Sequence, residues 1–477
     1  MELRITNHES RITHYELRIT NYALRIEMNE IFSKRRQFRL RLFFEGILVG
    51  IVTGTIIAAF RFLIDNADIY RPIWLMRLRT ELDPIDWLIT FAAIFLTAQF
   101  IAIAIKRDAQ IAGSGVPQIK GILQGNMKMT RPLRLLAVKF ATSVLAIGEG
   151  MSLGRAGLSV QFGACIGHFF NQRLGRSPLF EEKLLLTAGS GAGLAAIFNA
   201  PLSGVIFCVE ELHKRFSSEL LIVSMTAAVT ASAVVEFVFG VRPVFETITP
   251  VLNAEPLVST EPTLDMIKTL TADPIEFLTW FAMLGAFTGV LGALFTRSLL
   301  FSLDYYAQLQ IEGAKKFLIP LTMSVGIGLF LPEVLGCGNV LVDELLSGNF
   351  AFRLLLIFFF GKFLFTMICF GTGAPGGIFL PLLVLGALAG KIFSTFGSSS
   401  WLFGTEWAVL FTVCGMAGFF AAVVKAPVTG SILIMELTGS FSHLLVLIIV
   451  SSIAFLISDL CGGAPAYSAL LNRSLHR

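Results

Sequence analysis

The chain carries one pattern twice. Residues 194–212 read Leu-Ala-Ala-Ile-Phe-Asn-Ala-Pro-Leu-Ser-Gly-Val-Ile-Phe-Cys-Val-Glu-Glu-Leu, and residues 420–437 read Phe-Ala-Ala-Val-Val-Lys-Ala-Pro-Val-Thr-Gly-Ser-Ile-Leu-Ile-Met-Glu-Leu. Ala-Pro-x-x-Gly at Ala200–Gly204 recurs at Ala426–Gly430, an offset of 226 residues, and Glu210 falls on Glu436 at the same offset. Each copy is an apolar stretch broken by proline and glycine and closed by an acid. In a chain this apolar, such a duplication implies two homologous halves in a bilayer, the layout that sets a site at midplane between interrupted helices.

Composition points the same way. Hydrophobic residues make up 55% of the chain, charged residues 15%, and the mean hydropathy is +0.75; a soluble domain carries about a quarter of its residues as charges. Apolar segments recur near 42–63, 86–106, 134–148, 184–209, 219–240, 274–303, 317–332, 352–370, 378–396, 405–424 and 443–461. Several fall short of the roughly 20 residues a perpendicular span needs. Helices that stop partway are tolerated only where their freed backbone groups face protein or a watery cavity. The expected fold is therefore an all-α polytopic membrane protein built around a polar site.

Three features are less informative. The six cysteines lie mostly in apolar sequence without the paired spacing that zinc or a disulfide framework demands, and read as small packing residues. Lys34, Arg35, Arg36, Arg39 and Arg41 precede the first apolar segment, which places the N-terminus in the cytoplasm by the positive-inside tendency, with no cleavable signal. Arg-Ile recurs at 4, 11, 18 and 25 in near-identical heptads whose Thr, Asn and His weaken a coiled coil. These repeats read as a dispensable, disordered tail, with Met28 an alternative initiator. The expected organisation is a tail over 1–30, a first transmembrane half over 31–240, an extramembrane linker over 241–273 and a second half over 274–477.

Four places carry chemistry. Gly113-Ser114-Gly115-Val116-Pro117 allows a tight turn with a hydroxyl donor and opens onto a short helix at Gln118-Ile119-Lys120-Gly121; alone it is a common turn. Gly150-Met151-Ser152-Leu153-Gly154-Arg155-Ala156-Gly157-Leu158 leads into an apolar run, and a helix starting there offers unpaired N–H groups and a positive dipole end to an anion. Gly373-Ala374-Pro375-Gly376-Gly377-Ile378-Phe379-Leu380-Pro381 opens a helix in the other half, with Gly377 aligned on Gly154. Tyr467 sits near the C-terminal end, where a lone tyrosine is by itself an interfacial anchor.

Taken together, from about residue 40 onward, these four motifs resemble in order and spacing the CLC family of chloride channels and chloride/proton antiporters. The resemblance implies two inverted-topology repeats with about 17–18 helical segments, many tilted or discontinuous, and a homodimer with one anion pathway per subunit. It implies chloride as the substrate, coordinated by the hydroxyls of Ser114 and Tyr467, the Gly115 loop and the backbone N–H groups of Ile378 and Phe379. It also implies a gate at Arg155, Ala156 and Gly157. Dipoles rather than full charges would then select anions while letting them leave.

The departure is Ala156. The family motif has a glutamate there, whose carboxylate competes with chloride and, once protonated, swings aside and carries a proton; alanine does neither. Leu158 likewise replaces the motif proline. The family's second proton-relay acid falls on Glu211, and Glu149 is a further acid near the gate, read either as an unconventional proton carrier or, more simply, as the partner of Arg155. Glu210, echoed by Glu436, reads as structural. Lys139 and Lys362, inside apolar runs, read as anion-attracting charges or as cations snorkelling or bonded to helix ends.

The resulting expectation is passive chloride transport without proton coupling. The alternatives are a chloride/proton antiporter using Glu149 and a non-transporting membrane scaffold. An enzyme is excluded by the lack of a metal-ligand cluster, nucleophile triad or phosphate-cradling loop, and no metal, cofactor, nucleic-acid partner or adenine-nucleotide regulation is expected. The expected location is the bacterial inner membrane.

Overall fold

The computed structural model describes residues 2–174, 179–240, 274–348, 350–398, 405–439 and 441–475. The expected linker over 241–273 lies outside these. Seventeen α-helices account for most of the described residues, and no strand occurs among them. In chain order these are α1 (Glu2–Thr80), α2 (Pro84–Arg107), α3 (Val116–Leu123), α4 (Pro132–Gly148), α5 (Ala156–Arg173), α6 (Leu179–Phe198), α7 (Pro201–Phe207) and α8 (Ser218–Phe239). There follow α9 (Pro274–Gln308), α10 (Lys315–Gly328), α11 (Asn339–Ser347), α12 (Phe352–Gly371) and α13 (Phe379–Ser398). The last four are α14 (Thr405–Val424), α15 (Pro427–Thr438), α16 (Leu444–Leu460) and α17 (Ala466–Leu475).

Seven helical stretches of the described residues are long and apolar enough to cross a membrane, among them Arg36–Thr80, Pro84–Arg107 and Trp407–Val424. The last has 94% of its apolar window buried within the protein, so α14 is a central helix rather than a lipid-facing one. Helix α1 begins at Glu2 and takes in the heptads, where the sequence suggested a disordered tail. Neither proline nor glycine occurs before Gly46, so the backbone meets no breaker.

The duplicated motif is a duplicated backbone. Asn199 and Lys425, one before each Ala-Pro, are both left-handed, with φ of 51° and 66°. Ala200 and Ala426 then share one geometry, φ −133°, ψ 76° against φ −130°, ψ 75°. The proline that follows takes the first helical position, where its missing N–H is not needed. The apolar run over 184–209 is consequently two helices, α6 and α7, bent apart at this point.

The acids closing each copy are exchanged between the copies. Glu210 sits in the π-helical turn Cys208–His213, and its carboxylate accepts the N–H groups of Val428 (3.2 Å) and Thr429 (2.7 Å) and the Thr429 hydroxyl (2.6 Å). Glu436, in α15, accepts the N–H groups of Leu202 (3.0 Å) and Ser203 (2.8 Å) and the Ser203 hydroxyl. Each therefore caps the first turn of the other copy's short helix, where N–H groups lack intrahelical acceptors and the dipole favours an anion. This is a structural role shared by both halves, as the echo of Glu210 in Glu436 suggests.

Close crossings complete the frame. A Cβ added to Gly163 would lie 1.8 Å from the Gly189 carbonyl oxygen, and one on Gly193 would lie 2.0 Å from that of Ser159, so α5 and α6 touch backbone to backbone. Helices α13 and α14 repeat this at Gly390, 2.1 Å from the Phe411 carbonyl oxygen. Small residues at such crossings let dispersion and polar contacts drive association where lipid supplies no hydrophobic push. Replacing Glu210 with alanine should strip α15 of its cap and lower stability by about 1–3 kcal/mol. Glu210→Gln, which keeps an acceptor, should cost less; equal thermal unfolding of both variants and the unaltered protein would contradict the capping role.

Candidate functional site

Three loops that precede helices meet in one knot. Gly154 and Gly377 exchange both backbone hydrogen bonds as an isolated antiparallel bridge, Gly154 N–H to Gly377 O at 2.6 Å and the reverse at 2.7 Å. The Ser114 loop joins them: Gly113 N–H donates to Gly373 O (3.2 Å) and Gly376 N–H to Gly113 O (3.3 Å). Such a knot forms only because the approaching chains lack side chains. A Cβ on Gly154 would fall 2.9 Å from Leu380 N, one on Gly157 would fall 2.1 Å from Ser114 Oγ, and one on Gly377 would fall 3.2 Å from Gly157 N.

The helices that leave this knot are α3, α5 and α13. Neither Gly115 nor Arg155, the residues preceding α3 and α5, supplies a side-chain cap. Gly115 has φ of 99°, and a Cβ there would meet the Gln161 side chain and the Gly157 carbonyl, so the loop admits only glycine. The first N–H groups of α5, from Ala156, and of α13, from Phe379, have no acceptor in their own helices. The start of α13 is held by its aromatic ring: Phe379 packs between Phe198 (5.3 Å between centroids) and Phe420 (4.6 Å).

Ser114 Oγ and Tyr467 Oη are both buried and have no protein hydrogen-bond partner. Interior polar groups are ordinarily paired, and these two belong to a wider set without a protein partner that includes the hydroxyls of Thr53, Ser224, Ser232 and Ser451. Tyr467 lies on α17, which packs against α3 and α14. A cavity of about 160 Å³ reaches Ser114 and is lined also by Gly113, Gln118, Phe370, Leu470 and Arg473. Ala156 is fully buried and presents a methyl group beside Gly157, which touches Ser114. Ser114, Gly115, Ala156, Gly157, Ile378 and Phe379 are thus brought together, and Tyr467 arrives on a helix packed against α3, which follows the Ser114 loop.

The charged candidates separate. Arg155, 1% exposed, donates from Nη1 to Asp65 Oδ1 at 2.6 Å, so its partner is Asp65 and the expected pairing with Glu149 is wrong. Asp65 comes from α1 and is also paired with Arg61 at 3.3 Å. Glu149 instead accepts from the Thr97 hydroxyl at 2.5 Å and lines a different cavity, between α1, α2, α4 and α10. Glu211 is buried and bonded by Lys120 Nζ at 2.6 Å, and Lys120 also reaches Ser468 Oγ at 2.8 Å, next to Tyr467.

Lys139 and Lys362, unlike Lys120, bond to neutral acceptors. Lys139 Nζ donates to Gln161 Oε1 at 2.5 Å and to the Gln110 carbonyl at 3.3 Å, behind the Ser114–Gly115 loop. Lys362 Nζ donates to the carbonyls of Val334 (2.9 Å) and Gly336 (2.8 Å). Asp65, Lys120 and Gln161 escaped the sequence reading. For Lys120 a signal existed, since a charge within an apolar eight-residue helix of a membrane protein marks a paired or functional group.

Against known proteins, a family model described as voltage gated chloride channel matches residues 89–459. The H(+)/Cl(-) exchange transporter ClcA of Vibrio cholerae (strain M66-2) is 34% identical over 460 residues, covering 94% of this chain and 92% of its own length. That of Vibrio vulnificus (strain YJ016) is 34% identical over 447 residues, covering 91% and 90%. Among solved structures, a slow cyanobacterial Cl-/H+ antiporter superposes with a TM-score of 0.79 at 27% identity, over 92% of this chain and 98% of that one. A eukaryotic CLC transporter, with a TM-score of 0.70 at 22% identity over 91% and 74%, shares the fold.

If the two orphaned hydroxyls await an anion, removing either weakens its binding. Ser114→Ala and Tyr467→Phe should each lower chloride affinity about fivefold, equivalent to about 1 kcal/mol, in calorimetric titration. Unchanged affinity in both variants would separate these hydroxyls from the anion.

Proposed function

Because the chain belongs to the CLC family, the voltage gated chloride channels and their transporter relatives, we propose that it carries chloride across the bilayer through the knot of helix starts. The observations that carry this reading are the buried, unpartnered Ser114 hydroxyl in a loop bonded to the Gly373–Gly377 loop, and the buried, unpartnered Tyr467 hydroxyl on a helix packed against α3. In this reading Ser114, Gly115, Tyr467 and the N–H groups of Ile378 and Phe379 form the anion site, while Arg155, Ala156 and Gly157 form its gate. Hydroxyls and amides attract an anion without a full countercharge, so binding stays weak enough for release.

Two modes of transport are separable. Exchange of chloride for protons is what the names of the relatives support, and the buried Glu211 provides one acid for it. Uncoupled movement down the electrochemical gradient is what Ala156 supports, because a methyl group neither competes with chloride nor takes up a proton. Glu149 offers exchange little help: it faces the separate cavity by α1 and α2, and Thr97, not a gate residue, is the hydrogen-bond partner of its carboxylate. Uncoupled movement is thus inferred from the residue at position 156 alone, while the names of the relatives favour exchange.

The protein is a multi-pass membrane protein, and the bacterial homologues support placement in a bacterial inner membrane. Action as a homodimer, with one pathway in each subunit, follows from the family resemblance.

Reconstituted in liposomes under a chloride gradient, the protein should move chloride without a matching change in internal pH. Proton uptake at a fixed ratio to chloride would establish exchange instead. Ala156→Glu places a carboxylate in the gate, so its chloride flux should be slow at neutral pH, where the acid is ionised and competes with the anion, and should rise as the pH falls and the acid is neutralised. Flux indifferent to this substitution at every pH would remove Ala156 from the pathway.

A further inference from the structure

A second cavity, of about 530 Å³, lies away from the knot, between α1, α2, the end of α4 and α10. Its wall is mostly apolar, with Trp74, Ile94, Val325 and Leu335, and its rim carries the exposed side chains of Tyr70, Ile73 and Ile89. The buried polar groups in the wall are accounted for, with one exception. Arg71 donates from Nη1 to the Ile147 carbonyl at 3.0 Å and from Nη2 to Asp68. Arg77 is paired with Glu81 at 3.0 Å and Asp86 at 2.8 Å. Trp74 Nε1 donates to Thr90 Oγ1 at 3.0 Å. Glu149 accepts the Thr97 hydroxyl on Oε1, but its Oε2 is buried and has no partner.

A buried carboxylate oxygen left unpaired is costly, and no cation in the wall is placed to relieve it. We propose that this cavity is a binding site for an organic ammonium with an apolar body: the ammonium donates to Glu149 Oε2, and the body packs against Trp74 and Ile94. The choice of ligand follows from charge complementarity. A lipid tail would fill the volume and leave the oxygen unpaired, and an anionic molecule would meet the carboxylate head-on. The site also touches the path into α5. Ser324 Oγ donates to the Glu149 carbonyl at 2.8 Å and Gly336 N–H to the Gly150 carbonyl at 3.0 Å, so the wall of the cavity fixes the turn that leads to Ala156.

The test uses the full-length purified protein and the emission of Trp74, the tryptophan in the cavity wall. Titration with phenylpropylamine should change the emission saturably, whereas phenylpropanol, of matching shape but uncharged, should bind about tenfold more weakly. Trp74→Phe should remove the optical change. Glu149→Gln should erase the preference for the amine while retaining the weak binding of the alcohol. Equal affinity for amine and alcohol in the unaltered protein, which requires no variant to fold, would overturn the proposal. A saturable response to neither, or an amine preference that survives Glu149→Gln, would do the same.

Discussion

An α-helix that begins inside a membrane exposes N–H groups that neither lipid nor its own backbone can satisfy. The architecture around Gly154 and Gly377 answers that demand. By exchanging two backbone hydrogen bonds, the two glycines fix the starts of α5 and α13 against each other. A Cβ at Gly154 or Gly157 would force its neighbours apart and one at Gly377 would crowd them, so the contact is set by absent side chains as much as by present ones. The Ser114 loop adds a hydroxyl and the Phe379 ring stiffens one flank. The result is a knot assembled largely from backbone, with a small pocket that reaches Ser114 at its edge.

The charged residues nearby are arranged so that few face that pocket as free charges. Arg155 is drawn back to Asp65, Lys139 to Gln161 and the Gln110 carbonyl, and Lys362 to two carbonyls. Each cation contributes positive potential while its own hydrogen bonds hold it in place. Burial of such groups is tolerable because every one has acceptors at hydrogen-bond distance. Glu211 follows the same logic with Lys120, and the pair extends to Ser468, one residue beyond Tyr467.

Much of this was legible in the sequence because the information is local. Apolar runs announced the spans, Pro201 and Pro427 announced the breaks, and the three glycine-rich motifs announced the loops that meet. What stayed hidden depends on the third dimension. Nothing local says that Arg155 finds Asp65, 90 positions earlier in α1, rather than Glu149 six positions away. Spacing favours the near acid, but the direction of α4 into the Gly150 turn carries the Glu149 side chain to the other side. The heptads differ: composition argued for an unstructured tail, while the uninterrupted run of residues without proline or glycine, itself local, permits helix.

The crossed carboxylates at Glu210 and Glu436 have a consequence for how such a molecule is inherited. Since each short helix depends on an acid encoded more than two hundred codons away, neither copy of the ancestral duplication is self-sufficient any longer. Drift in one copy is answerable to the other: an acid lost on one side strands amides on the opposite side. Expressed as two separate polypeptides, the pieces would recognise each other through these complementary ends, whereas either piece alone would be left with a helix whose first turn has nothing to hold.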